Sequence, residues 1–97
     1  MSRGEYGQMF SATFSYLTVI KACNLSNLYQ ASDEALSAVI RYGYKNSLHS
    51  PETERISQNV NAYITHGIDE YKKTGKVTCT DAANTMRTII NSVKQLK

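Results

Sequence analysis

The stretch SPETERISQNVNAYITHGIDEYKKTG, Ser50 to Gly75, decides the fold. Ser50 is a preferred N-cap, Pro51 fits the first helical position because its missing N–H is not needed there, and Glu52 and Glu54 sit where the helix dipole is positive. Ile56, Val60, Tyr63, Ile64, Ile68 and Tyr71 then recur at helical spacing and share one face. Lys72 and Lys73 fall in the last turn, and Gly75 stands where a helix stops. The spacing predicts a helix over 51–74.

The same grammar extends outward in both directions. Downstream, Thr78 or Thr80 can cap, Asp81 lies in the first turn, and Ala82, Met86, Ile89, Ile90, Val93 and Leu96 keep helical spacing, which predicts a helix over 81–96. The linker from Gly75 to Cys79 is short, so these two helices are expected to be antiparallel neighbours. Upstream, Tyr6, Phe10, Phe14 and Leu17 mark a helix over 5–23. Thr13, Thr18, Val19 and Ile20 lower its local propensity, but its broad aromatic face suits the central element of a core. Between them, Ser32-Asp33-Glu34 reads as a cap for a helix over 33–42, and Leu25, Leu28 and Tyr29 can form a short turn before it. Residues 43–49 read as a loop. No segment alternates with period two for long, so the reading is all-α: one domain over 1–97, built as a four-helix bundle or a close variant.

Composition is ordinary for a globular chain, with 41% hydrophobic and 20% charged residues. No apolar run reaches the roughly 18 residues that span a bilayer. Residues 1–7 carry no apolar signal-peptide core, which fits a cytosolic protein or a mature exported form. The net charge of +3 is weak for a nucleic-acid binder. Lys72, Lys73 and Lys76 form a small basic group, but Asp69 and Glu70 oppose it and no Arg- and Asn-rich recognition helix accompanies it. Most charges sit where helix dipoles favour them.

No catalytic constellation emerges. His66 and Glu70 are one turn apart and read as a surface pair; two ligands without a third make a poor metal site. No phosphate-binding glycine loop and no nucleophile elbow is present, so neither enzyme activity nor a cofactor is expected. Asn24-Leu25-Ser26 matches the glycosylation sequon, a pattern short enough to arise by chance. The candidate contact loop is instead Tyr42, Tyr44, Lys45 and His49, where aromatic, basic and imidazole groups gather around Gly43. Tyrosine suits binding surfaces because a rigid ring gives large contact area at low entropy cost. The bland alternative is that these rings simply cover the end of the bundle.

Cys23 closes the first predicted helix and Cys79 precedes the last. If those helices are antiparallel neighbours, the sulfurs lie at bridgeable distance; otherwise the two are buried free thiols. A disulfide implies an oxidising compartment, which for a bacterial chain is the periplasm.

Cysteines placed this way, in Ala22-Cys23-Asn24 and Val77-Thr78-Cys79-Thr80-Asp81 of a small helical chain, resemble the periplasmic immunity proteins of type VI secretion. The resemblance lies in architecture over most of the chain and rests on no specific motif. It implies a non-enzymatic protein, often dimeric, that binds and blocks a secreted peptidoglycan amidase toxin. The alternatives are a periplasmic acid-stress chaperone, which also pairs two cysteines in a small helical chain, and a cytosolic regulator or phage-type inhibitor with free thiols.

Overall fold

The computed structural model describes residues 1–96. The elements are α1 (Arg3–Ala22), a 3-10 turn (Ser26–Leu28), α2 (Tyr29–Lys45), α3 (Pro51–Gln58), α4 (Val60–Thr74) and α5 (Cys79–Val93). No strand occurs among the described residues. α1 packs against α2, α4 and α5, and α2 also packs against α5. The central place expected of the first helix is therefore its actual one.

Capping explains most of the helix ends. Ser2 and Glu5 form a reciprocal capping box that starts α1. Asn24, the sequon residue, has φ of 57°, and its N–H reaches the Lys21 carbonyl while that of Leu25 reaches Ile20. This is a Schellman ending, in which Asn tolerates the left-handed backbone better than most residues. α2 ends the same way, with Ser47 at φ 56° and the Leu48 N–H bonded to the Gly43 carbonyl. Ser50 and Thr53 cap α3, and Thr78 caps α5 by accepting from the Asp81 N–H.

The core is built from Tyr6, Phe10, Leu17 and Ile20 of α1, Leu36 and Val39 of α2, Ile64 of α4, and Ala82 and Met86 of α5. Each large apolar side chain contributes roughly 1.5–3 kcal/mol on burial. Thr13 and Thr18, β-branched and polar, are also buried; their hydroxyls bond the carbonyls of Met9 and Phe14 at 2.7 and 2.9 Å. Thr18 meets α4 at Gly67, where a Cβ would stand 2.8 Å from the Thr18 methyl.

Three expectations change. The helix expected over 51–74 is two helices, because Asn59 leaves helical geometry at φ −139° and ψ 39° and its side-chain amide bonds the Arg55 carbonyl at 3.0 Å. Asn competes with the backbone for hydrogen bonds, and here that competition wins. α2 begins at Tyr29 rather than 33, with no side-chain cap. The packing of Leu28 and the bonds of Tyr29 and Asp33 to Lys21 hold its start against α1. Last, α4 and α5 scarcely touch; they lie against α1 instead of against each other. The loop between them is pinned by Tyr71, whose hydroxyl donates to the Val77 carbonyl and whose ring covers Gly75.

The earlier start of α2 places Ser32 inside the helix, fully buried, and its Oγ has no hydrogen-bond partner. A buried hydroxyl without a partner costs roughly 1–3 kcal/mol. Ser32→Ala is expected to stabilise the fold by about 1 kcal/mol, raising the melting temperature by roughly 4–8 °C for a chain of this size. A thermal melt followed by circular dichroism checks this, and a lowered midpoint would contradict it.

Candidate protein-binding surface

The cysteines are joined. Cys23 and Cys79 form a disulfide with a Cα–Cα distance of 5.9 Å, tying the end of α1 to the start of α5. The antiparallel placement of these two helices is what brings them together.

The stretch containing Tyr42, Tyr44, Lys45 and His49 is less of a loop than the sequence implies, since α2 runs through Lys45. Residues two apart on a helix point nearly opposite ways. Tyr42 is half-buried beside Tyr6 and, with Lys45, borders a groove toward Val93 and Leu96 of the α5 end. Tyr44 is 49% exposed and lies over His49, ring centroids 4.2 Å apart at 36°. The four residues thus divide between two faces, with Tyr44 and His49 together on the side toward α3.

His49 is anchored from below. Its Nε2 lies 3.0 Å from the Ile40 carbonyl and 3.2 Å from the Tyr6 hydroxyl, and its Nδ1 is 2.9 Å from Thr53 Oγ1. The Tyr6 hydroxyl donates to the Val39 carbonyl at 2.8 Å. Its single proton being spent there, the proton on the His49 side of their contact belongs to Nε2. Thr53 Oγ1 accepts from the Ser50 N–H at 2.9 Å, and its own proton faces both His49 Nδ1 at 2.9 Å and the Ser50 carbonyl at 3.2 Å. Both imidazole nitrogens lie against internal partners, and the ring forms a platform under Tyr44. Burial, and secondarily the nearby Tyr44, push the Tyr6 hydroxyl up to about 12, which keeps it a proton donor.

Tyr6, 43 residues from His49, was not among the candidates read from the sequence. Its helical spacing marks it only as core. Gly43 was read as the first residue of the 43–49 loop, yet it lies inside α2 and its φ is not positive; a Cβ there would collide with Tyr6 and His49.

Beside this platform, α1 and α3 border a groove of about 310 Å³, with Phe10, Phe14 and Ile56 against Ser50, Glu52 and Thr53. His66 and Glu70 are exposed, 4.0 Å apart, on α4. No group of three or more potential metal ligands occurs among the described residues, and no described helix is long and apolar enough to cross a membrane. No family model, curated protein or solved structure matches this chain.

Proposed function

We propose that this protein is a stoichiometric, non-enzymatic binding protein of an oxidising compartment, and that Tyr44 carried on His49 is its main contact. The observation that carries the reading is the exposed Tyr44 ring held on an imidazole whose two nitrogens are both hydrogen-bonded. A ring fixed before binding loses little entropy on binding, so more of its buried area appears as affinity. The Cys23–Cys79 disulfide supports the oxidising compartment. The resemblance to type VI immunity proteins makes a secreted peptidoglycan amidase the partner to try first, with the chain covering its active site.

The test is titration calorimetry of the oxidised protein against a secreted peptidoglycan amidase, beginning with any product of a neighbouring gene, together with the hydrolase's activity. One-to-one inhibition is expected. Tyr44→Ala should weaken binding by about 2 kcal/mol, roughly thirtyfold, as for a central aromatic contact. Lys73→Ala, on α4, should change nothing. Unchanged affinity for Tyr44→Ala would remove Tyr44 from the interface. Failure to inhibit, combined with acid-induced holdase activity, would favour the chaperone reading.

A further inference from the structure

α2 and α5 run side by side in the same direction, since each is antiparallel to α1, and they leave a long shallow groove between them. Two adjoining hollows of about 380 and 360 Å³ share Ala38, Arg41 and Val93. The apolar lining is Ala31, Ala35 and Ala38 on the α2 side and Ile90 and Val93 on the α5 side. Arg41, Lys45 and Lys94 stand exposed along the rim, and none has a carboxylate within 4 Å among the described residues. Glu34 is the one acidic residue at the groove, toward the Ala31 end.

We propose that this groove docks an amphipathic helix of a partner protein whose flanks are acidic. Alanine walls let a second helix approach closely, and its apolar stripe would cover the half-buried Ala31, Ala38 and Ile90. Its carboxylates would meet Arg41, Lys45 and Lys94 on the rim, none of which is in an ion pair among the described residues. The stretch from Ala31 to Lys45 spans roughly 21 Å at helical rise, which matches a partner helix of about 14 residues. Nucleic acid fits less well, because the cations flank an apolar trough and leave phosphates nothing to bond along its floor. A bilayer fits less well because the surface is concave.

The probe is a synthetic amphipathic helix of about 14 residues with a leucine stripe and glutamates on the remaining faces. It is titrated into the isotopically labelled, disulfide-bonded protein and followed by NMR. Saturable shifts confined to residues such as Ala31, Ala38 and Ile90 are expected. The triple substitution Arg41→Glu, Lys45→Glu, Lys94→Glu touches only exposed side chains, so helical content should be retained while affinity falls roughly tenfold or more. Tyr44→Ala should leave peptide binding unchanged, which separates this groove from the Tyr44 surface. Absence of saturable shifts would overturn the proposal. So would equal binding of the lysine counterpart of the peptide, preference for a short DNA duplex or anionic vesicles, or sedimentation showing that a second copy of the chain fills the groove.

Discussion

Replacing Cys23 and Cys79 together by serine is expected to destabilise the protein by roughly 4 kcal/mol, the value the chain-entropy model gives for a bridge across 56 residues. The bridge encloses α2, α3 and α4, more than half of the chain, so the unfolded ensemble it restricts is large. The native state adds to the effect. Cys79 starts α5, and the loop before it is held by the bond of Tyr71 to Val77, by the Thr78 cap and by the bridge itself. Domains of this size are stable by about 5–15 kcal/mol, so the loss is a large share of the whole. The melting temperature of the double variant should fall by about 15 °C or more. Reduction of the unsubstituted protein should give the same shift, whereas the double variant should not respond to reductant. A midpoint within two or three degrees of the oxidised protein, roughly 0.5 kcal/mol, would show that the helical packing suffices without the bridge. The function proposed here also depends on this result. A chain that needs its disulfide at working temperature is confined to an oxidising compartment, while one that does not could work elsewhere.

The sequence made the helices legible where end signals and apolar spacing agreed. Ser50-Pro51 and Thr78 cap where they were expected to, and Cys23 and Cys79 meet because the helices carrying them are antiparallel. It misled where a local signal competed with a tertiary one. Ser32-Asp33 looks like a cap, but Asp33 pairs with Lys21 at 3.1 Å and Ser32 faces the core, so burial of Leu28 and Leu36 overrides the local preference. Asn59 erred in the other direction: the apolar stripe from Ile56 to Tyr71 hid a break that one amide could make. The candidate site was legible as composition but not as geometry. Ending α2 at residue 42 made Tyr42 and Tyr44 look like neighbours in one loop, and extending it to Lys45 sends them to different faces. Tyr6 could not have been placed under His49 from spacing at all, because the contact exists only once α1 lies across the end of α2.

Gly43→Ala is expected to be strongly damaging, although alanine is ordinarily the better helix residue by about 1 kcal/mol. A Cβ at this position would stand 2.1 Å from the Tyr6 hydroxyl oxygen, 2.4 Å from its Cζ and 2.7 Å from His49 Nε2. The Tyr6 ring has no free direction in which to move: it is fully buried, with Phe10 and Tyr42 at centroid distances of 6.2 and 6.4 Å. Relief therefore requires α2 to shift away from α1, or Tyr6 and His49 to give up their bonds to the Val39 and Ile40 carbonyls. Overpacking costs about 1–3 kcal/mol and each lost buried hydrogen bond about 1 kcal/mol. After the gain in propensity, the net destabilisation should be about 3 kcal/mol, visible as a fall of roughly 10–20 °C in a thermal melt. The cause can be isolated with a double-mutant cycle. Tyr6→Leu removes the atoms nearest the new methyl, so combining it with Gly43→Ala should cost less than the sum of the two alone by 1 kcal/mol or more. Additive costs would place the damage elsewhere. The same substitution also reaches the proposed interface. Displacing His49 tilts the platform under Tyr44, so partner affinity should fall in a variant whose exposed contact residue is untouched, and it should recover in part in the Tyr6→Leu background.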